Sequence, residues 1–425
     1  MRGNRGVSSA GALFALIILS APRAASAFYT VTTLAGGGRA GNTSGSAEGV
    51  GTNALFSTPF GVAVNSEGTV FVVDSSNNKL CAIKPDGTVS TLAGGGANGK
   101  TPVRTDGVGT NALFNYMYDV STVSSESGTV FVADTTNSVV RAVTLGGNVT
   151  TVAAGFLYPY SVSIATSGAV YVADTTNNIV VVITSDGRRT LAGGFNLPRG
   201  VAAGPANVVF VADTGNHRIS TISPGGAVAT LAGGGADGVT PGSNDGIGTS
   251  ALFFCPSGVA IDSAGTLYVA DFYNQKVRAI SPGGTVITIG GGGADGSSAG
   301  SVDGVGTNAL FFNPSGIAVD SMNAVYVADC HNNKVRKLVP PVPSLSPTPS
   351  SRYTRTISST PSPELTGSVT GTALFSSSPL ATLSSSPLTT LLPSMSPPRS
   401  STPTPSSLPS TSPPPTPSPT RSAYS

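Results

Sequence analysis

Short apolar runs that end in Asp, with Asn three residues later, recur six times along the chain. One copy is Val-Phe-Val-Ala-Asp-Thr-Thr-Asn at residues 130–137. The apolar run has the length of a buried strand, and Asp and Asn side chains bond to nearby backbone amides in tight turns. The repeated residues are Asp74, Asp134, Asp174, Asp213, Asp271 and Asp329, with Asn77, Asn137, Asn177, Asn216, Asn274 and Asn332. We interpret them as structural turn residues, because every repeat needs the same turn.

Each signature run lies within a unit in which four strands are predicted. In the fifth unit the apolar runs cover residues 256–261, 266–270, 276–280 and 285–289, and turn-forming residues separate them. Four antiparallel strands in about 40 residues is the size of a propeller blade. The pattern therefore predicts an all-β chain that folds as a six-bladed β-propeller.

The chain also indicates how the ring closes. A fourth-strand pattern, Thr-Leu-Ala-Gly or a variant, ends the first five units, but the sixth runs into Pro340 and Pro341, and prolines interrupt a strand ladder. The missing copy lies at residues 33–36. We therefore expect the N-terminal strand to complete the last blade, which removes two exposed sheet edges.

Four of the units are preceded by an insert that ends in Ala-Leu-Phe. The inserts cover residues 48–56, 106–114, 245–253 and 303–311, ahead of blades 1, 2, 5 and 6. These blades are contiguous in a closed ring, so the elaborated part of the rim is continuous. We expect each terminal Phe to be buried between blades. A calcium-loop interpretation is weak, since the inserts lack alternating oxygen ligands and a terminal carboxylate.

The two ends of the chain differ in composition from the repeats. Residues 1–27 have the layout of a secretory signal peptide, with an uncleaved signal anchor as the alternative. Residues 28–340 form the predicted propeller. Residues 341–425 hold 19 of the chain's 32 prolines among Ser and Thr, which predicts a disordered stalk, either O-glycosylated or a bare linker.

Charge and short sequence motifs indicate the location of the protein and the class of partner it binds. Residues 28–340 carry 15 Lys and Arg against 19 Asp and Glu, which argues against nucleic acid as a partner. No later segment is long and apolar enough for a transmembrane span. Asn42 and Asn148 begin N-glycosylation motifs, which matter once secretion is granted. We expect a secreted protein of the cell surface or extracellular matrix.

The ordered motifs of the units resemble the NHL repeat family of β-propellers. The matching elements are Pro-x-Gly-(Val/Ile)-Ala-(Val/Ile)-Asp, then the signature run, then Val-Arg-x-Ile, and they are clearest at residues 256–280 and 314–338. Unit 2 departs, with Met117 and Asp119 in place of the Pro and Gly, and unit 3 has Ser161 in place of the Gly. The resemblance implies a scaffold, a receptor or, less often, an enzyme.

In such a ring, the residue between Pro and Gly lies at the mouth of the central channel. The binding candidates at this position are Phe60, Tyr118, Tyr160 and Arg199, opposite Ser257 and Ser315, and the turns of units 5 and 6 add Phe272, Tyr273 and His331. Exposed aromatics beside a cation are typical of protein or glycan contacts. The alternative is that these aromatics pack on neighbouring blades.

Metal, cofactor and disulfide chemistry have weaker support. The histidines, His217 and His331, fall in different blades, and only Asp119 is well placed at the mouth for calcium, so we expect no cofactor and no metal. Asp262 and Asp320 fit turn roles better. Cys255 and Cys330 are predicted in mouth loops of adjacent blades and are the candidate disulfide.

Two functional hypotheses follow. The first is a non-enzymatic binding or adhesion module that captures an extracellular protein or glycan at the channel mouth. The second is a six-bladed hydrolase or lyase with a metal in the channel. The sequence names no catalytic residue for the second hypothesis.

Overall fold

Six blades surround a central channel. The structure, a computed structural model, describes residues 28–96, 104–122 and 128–341. The predicted signal peptide and all but the first residue of the predicted stalk lie outside these residues. The described part of the chain is a six-bladed β-propeller, and each blade is an antiparallel sheet of four or five strands.

The strands follow one another blade by blade, apart from the first. β1 (Thr30–Gly36) belongs to blade 6. Blade 1 contains β2 (Gly49–Val50), β3 (Pro59–Val64), β4 (Val70–Asp74), β5 (Lys79–Ile83) and β6 (Thr88–Gly94). Blade 2 contains β7 (Gly107–Val108), β8 (Asp119–Thr122), β9 (Val130–Asp134), β10 (Val139–Val143) and β11 (Asn148–Ala154). Blade 3 contains β12 (Pro159–Ile164), β13 (Val170–Asp174), β14 (Ile179–Thr184) and β15 (Gly187–Gly193).

The remaining blades repeat this arrangement. Blade 4 contains β16 (Gly200–Ala203), β17 (Val209–Asp213), β18 (Arg218–Ile222) and β19 (Val228–Gly233). Blade 5 contains β20 (Gly246–Ile247), β21 (Pro256–Ile261), β22 (Leu267–Asp271), β23 (Lys276–Ile280) and β24 (Thr285–Gly291). Blade 6 contains β25 (Gly304–Val305), β26 (Pro314–Val319), β27 (Val325–Asp329) and β28 (Lys334–Val339) besides β1.

Short 3₁₀ helices occupy the turns. They are Gly51–Asn53, Ser75–Asn77, Gly109–Asn111, Thr175–Asn177, Pro205–Asn207, Thr214–Asn216, Gly248–Ser250, Phe272–Asn274, Gly306–Asn308 and Cys330–Asn332. No helix in the described ranges is long and apolar enough to cross a membrane.

The ring closes through its N-terminal strand, as the sequence predicted. β1 pairs antiparallel with β28, with Thr30 opposite Val339 and Gly36 opposite Lys334. The last blade therefore takes its fourth strand from the start of the chain, and both ends of the propeller are held by one sheet.

Each insert adds a strand that four-stranded blades do not have. β2, β7, β20 and β25 pair with the outer strands of blades 1, 2, 5 and 6, so these blades have five strands and not the predicted four. Each added strand has only two residues, too few for a periodic pattern. The terminal residues Phe56, Phe114, Phe253 and Phe311 are buried in clusters that join adjacent blades, as expected.

Candidate functional site

One face of the propeller brings together the residues predicted at the channel mouth. Phe60, Tyr118, Tyr160, Arg199, Ser257 and Ser315 line a single cavity of about 20 Å³. They belong to six different blades, and each lies at or just before the start of an inner strand. Such a cavity has room for one small group.

The aromatic side chains at the mouth pack on one another. Ring centroids lie 4.8 Å apart for Phe60 and Tyr118, 4.5 Å for Tyr118 and Tyr160, and 6.5 Å for Phe60 and Phe272. Phe60 is 8% exposed and Phe272 is 6% exposed. The expected exposed arc is thus wrong for these two residues, because their rings contact each other and fill the mouth. We call Phe60, Tyr118, Tyr160 and Phe272 the mouth cluster.

Arg199 lies against this cluster. Its guanidinium carbon is 5.0 Å from the ring centroid of Tyr160 and 5.9 Å from that of Phe272. Among the described residues no carboxylate forms an ion pair with it, and its side chain donates no hydrogen bond. Attraction to the aromatic faces holds this cation at a partly buried position.

Exposed apolar side chains surround the mouth cluster, and the sequence predicted only Tyr273 among them. They precede the inner strands or lie in the turn after the signature run, and they are Tyr116, Leu157, Tyr158, Leu197, Phe254, Tyr273 and Phe312, each 40–49% exposed. We call this set the mouth rim. Apolar side chains gathered on one face mark interaction surfaces more often than scattered ones do.

Backbone strain accompanies three rim residues. Tyr116, Tyr158 and Leu197 have φ of 46°, 56° and 47°, in the left-handed region that bulky residues rarely adopt. Asn313 occupies the equivalent position in blade 6 with φ of 55°, and Asn tolerates this conformation better. Blades 2, 3 and 4 therefore retain large side chains at positions where a smaller polar residue is easier to accommodate.

Ring contacts connect the mouth cluster to the rim. Phe272 and Tyr273 have ring centroids 5.0 Å apart, Tyr273 and Phe254 5.1 Å, and Phe254 and His217 5.5 Å. His331 is exposed and packs on Phe312 at 5.0 Å, so it belongs with the rim and not with the cluster. Burial raises the pKa of Tyr118, and its neighbours Tyr158 and Tyr116 add to the increase.

Side chains from neighbouring blades fix the rim backbone. The residue after each signature Asn has positive φ, and in five blades its side chain accepts a hydrogen bond from the N–H that precedes the next inner strand. These acceptors and donors are Asn78 with Tyr116, Asn178 with Leu197, His217 with Cys255, Gln275 with Asn313, and Asn333 with Thr58. We call these contacts the interblade clasps, and no sequence signal separated them from ordinary turns.

The cysteines form no disulfide, which corrects the predicted pair. Cys81, Cys255 and Cys330 are all free. The Cys255 sulfur lies 3.7 Å from Nδ1 of His217 in blade 4, whereas Cys330 is buried against Phe60 and Phe272. The two side chains have different surroundings, although their loops lie in adjacent blades.

The signature Asp and Asn side chains bond within their own blades. Asp271 Oδ1 accepts from the N–H of Phe254 at 2.8 Å, and its Oδ2 accepts from Asn274 Nδ2 at 2.8 Å. Equivalent pairs occur at Asp74, Asp134, Asp174, Asp213 and Asp329. The carboxylates are thus occupied in the turns and buried.

Buried arginines join three of these turns to the inserts. Arg141, Arg278 and Arg336 each pair with the signature Asp of their blade and with the Asp that begins the insert, at 2.6–2.8 Å. Blade 1 has an insert but Cys81 at this position, and blades 3 and 4, which have none, have Val181 and Ser220. The Arg of the family motif is therefore an anchor for the inserts in blades 2, 5 and 6.

Below the mouth, small residues close the channel to a neck. A methyl group built at Gly200 or Gly258 would collide with the carbonyl of Ser257 or Ser315 on the next inner strand. In blade 2 Asp119 replaces this Gly, and its carboxylate accepts from Ser161 Oγ at 2.6 Å and from the N–H of Val162 at 3.2 Å. Burial raises the pKa of Asp119 to about 7.

Potential metal ligands are dispersed over the described ranges. No group of three or more His, Cys, Asp or Glu side chains there is arranged to hold a metal ion. The carboxylates of Asp262 and Asp320 each accept two backbone N–H groups and a tyrosine hydroxyl in their own turns. Asn42 and Asn148 are both exposed, as glycosylation requires.

A family model supports the resemblance seen in the sequence. The NHL repeat model matches residues 195–221, 253–280 and 311–338. Over 96 residues the chain is 34% identical to Protein SUPPRESSOR OF QUENCHING 1, chloroplastic, from Arabidopsis thaliana. That stretch is 22% of this chain, and it spans 9% of the plant protein's length.

Solved structures share the fold at low identity. A Bacteroides thetaiotaomicron protein described as of unknown function is 18% identical, with a TM-score of 0.61 over 74% of this chain and 76% of the other. An auxiliary nutrient binding protein from Bacteroides ovatus is 19% identical, with a TM-score of 0.59 over 74% and 78%. A Xanthomonas campestris gluconolactonase is 13% identical, with a TM-score of 0.50 over 74% and 90%.

Proposed function

Since this chain is a six-bladed β-propeller with NHL repeats, we propose that it is a non-enzymatic binding module, secreted or displayed at the cell surface. Its mouth face captures an extracellular protein or glycan. The signal-like N-terminus supports the location, and so do the exposed acceptors Asn42 and Asn148. A binding role agrees with the description of the similar Bacteroides ovatus protein.

The observation that carries this proposal is the mouth rim. Seven large apolar side chains, each 40–49% exposed, gather on one face, and three of them occupy strained backbone positions. Strain of this kind costs on the order of 1–3 kcal/mol per residue and is concentrated at functional sites. Thr58 and Cys255 occupy the same position in blades 1 and 5 with φ of 54° and 53°, so the turn is common to all six blades and the large side chains are specific to blades 2, 3 and 4.

Substitution of the strained rim residues tests the proposal. The variant Tyr116→Asn, Tyr158→Asn and Leu197→Asn removes the apolar side chains and installs the residue that blade 6 already has. The matched control, Val50→Thr, Val108→Thr and Ile247→Thr, removes apolar side chains that are 53–66% exposed on the added outer strands. The assay measures capture of extracellular proteins and glycans by immobilised full-length chain.

The outcomes separate binding from stability. We expect the rim variant to lose capture by tenfold or more, since a few aromatic residues dominate binding energy in such interfaces. Its thermal midpoint should stay the same or rise, and the control should capture like the wild type. Unchanged capture by the rim variant would show that this face is not the binding surface.

A channel-centred hydrolase or lyase is the second candidate, and Asp119 is the residue that favours it. A buried carboxyl group with a pKa of about 7 suits general acid–base chemistry. A metal-dependent version lacks a ligand set among the described residues. Screening the purified chain on lactones and esters tests this candidate, and turnover that is lost in Asp119→Asn would support it over a binding role.

A further inference from the structure

The mouth cavity is built to receive a negatively charged group. We propose that it is a subsite for the carboxylate of an acidic sugar, with Arg199 as the residue that binds it. This inference rests on the proposed binding function and names the class of ligand.

Arg199 differs from the other described arginines that contact aromatic rings. Arg141, Arg278 and Arg336 lie over phenylalanine rings, and each forms ion pairs with two aspartates. Arg188 lies 4.1 Å from the Phe156 centroid and has Asp174 at 3.8 Å. Arg199 has two aromatic contacts and no carboxylate partner in the described ranges. A partly buried guanidinium without a counter-ion leaves its fork of donors available for an anion.

Hydrogen-bond donors share the cavity with Arg199. The hydroxyl groups of Ser257, Tyr118 and Tyr160 form no hydrogen bond to any described residue, and these side chains line the same cavity. Asp119 is the carboxylate in the lining. It already accepts from Ser161 and Val162, and burial favours its neutral form. The Arg199 guanidinium can only donate, and the three free hydroxyl groups can rotate to donate as well, which suits an anionic oxygen ligand.

The size of the cavity and the adjoining rim favour a sugar acid. About 20 Å³ has room for a carboxylate oxygen but not for a sugar ring, so the rest of the ligand must lie outside. Phe272 leads by ring contacts to the exposed Tyr273 and Phe254. Exposed aromatic faces suit the apolar faces of pyranose rings, and the tyrosine hydroxyls of Tyr116 and Tyr158 suit sugar hydroxyls.

The test compares acidic sugars with neutral counterparts, which differ by the acid group alone in the first pair and by one acidic residue in the second. Calorimetry with the full-length chain measures binding of trigalacturonate against trigalactose, and of sialyllactose against lactose, at 0.05 M and 0.15 M salt. The two acidic arms distinguish a uronate from a sialate as the source of the carboxylate. A peptide with a free C-terminal carboxylate is a third arm.

Variants assign the preference to Arg199. Arg199→Met keeps the apolar stem and removes the guanidinium, Arg199→Lys keeps the charge, and Arg189→Met removes an exposed arginine of blade 3 as a charge-matched control. We expect Arg199→Met to weaken acidic-sugar binding about tenfold to hundredfold, the range for a lost charge-assisted hydrogen bond. Neutral-sugar binding should not change, Arg199→Lys should recover part of the loss, and Arg189→Met should bind like the wild type.

Three results would overturn the inference. These are equal binding of acidic and neutral sugars by the wild type, an acid preference that persists in Arg199→Met, and a preference for the peptide acid over both sugar acids. If rim-dependent capture of extracellular material survives any of these results, the proposed binding function stands without the acidic subsite. If the rim variant also captures normally, the mouth face is not the binding surface and the proposed function fails at its site.

Discussion

Removal of the Arg278 guanidinium should destabilise the propeller through one buried carboxylate. Arg278 is fully buried and joins the signature turn of blade 5 to its insert. Nη1 donates to Asp271 and to the carbonyl of Leu252, and Nη2 donates to Asp245 and to the carbonyl of Asn244, at 2.7–3.1 Å. Arg278→Met keeps an unbranched apolar side chain in the site and removes all four hydrogen bonds.

The size of the loss in folding free energy depends on the hydrogen bonds that Asp271 keeps in the variant. Removing one partner of a buried ion pair costs about 3–5 kcal/mol of folding free energy. Asp271 keeps the Phe254 N–H and the Asn274 amide as donors, so we expect about 3 kcal/mol, the lower end. Asp245 adds little, because its side chain is half-exposed and water replaces the lost partner.

The loss should also depend on pH. Burial raises the pKa of Asp271 and Arg278 opposes this rise, so the pKa in the variant is higher than in the wild type. A carboxyl group with a raised folded-state pKa stabilises the fold below its unfolded pKa of about 3.9, and this contribution is lost as pH rises through the folded value. The deficit of Arg278→Met should therefore grow as pH rises above about 3.9.

Urea unfolding of the full-length chain measures this deficit. Tyrosine fluorescence is a suitable probe, because the chain has 11 Tyr and no Trp. Arg218→Met is the matched control: Arg218 binds Asp213 at 2.8 Å, but its side chain is 21% exposed in a blade without an insert. We expect the control to lose about 1 kcal/mol. Equal losses in both variants, or a deficit for Arg278→Met below 1 kcal/mol at every pH, would refute the reasoning.

Two further predictions concern the mouth and the inserts. Burial lowers the pKa of His217, whose Nδ1 must be unprotonated to accept from Cys255, so the contribution of this side chain to stability should fall as pH drops below about 6.5. The thermal midpoint of the wild type relative to His217→Asn, the residue that blades 1, 3 and 6 have there, should therefore be lower at pH 5 than at pH 7. Phe253→Ala should cost about 3–5 kcal/mol in urea unfolding because the ring is fully buried between blades, whereas Phe254→Ala, 40% exposed, should cost under 1 kcal/mol. A difference between wild type and His217→Asn that is the same at pH 5 and pH 7 would contradict the first, and equal costs for the two phenylalanines would contradict the second.

The repeated part of the fold could be predicted because every blade carries the same sequence pattern. The signature run at 130–137 and its copies gave the number of blades, and the Thr-Leu-Ala-Gly copy at 33–36 gave the closing strand. Both depend on local patterns that a single blade contains. The Ala-Leu-Phe ends of the inserts predicted burial between blades for the same reason.

Features that depend on contacts between blades were harder to predict. The Arg of the Val-Arg-x-Ile motif looked like an ordinary strand residue, yet Arg278 reaches an insert 33 residues earlier in the chain. His217 accepts a hydrogen bond from a residue 38 positions away, and no local pattern encodes that distance. The mouth position was predicted correctly for Phe60, but its burial depends on Tyr118 and Phe272 from other blades.

Capture of extracellular ligands by the mouth face is the central claim, and one comparison tests it most directly. Full-length wild type, the variant with Asn at positions 116, 158 and 197, and the outer-strand control are immobilised at equal density and exposed to the same extracellular proteins and glycans. The account predicts that the wild type and the control retain the same ligand and that the rim variant loses it by tenfold or more while remaining folded. Retention of that ligand by the folded rim variant at wild-type strength would contradict it.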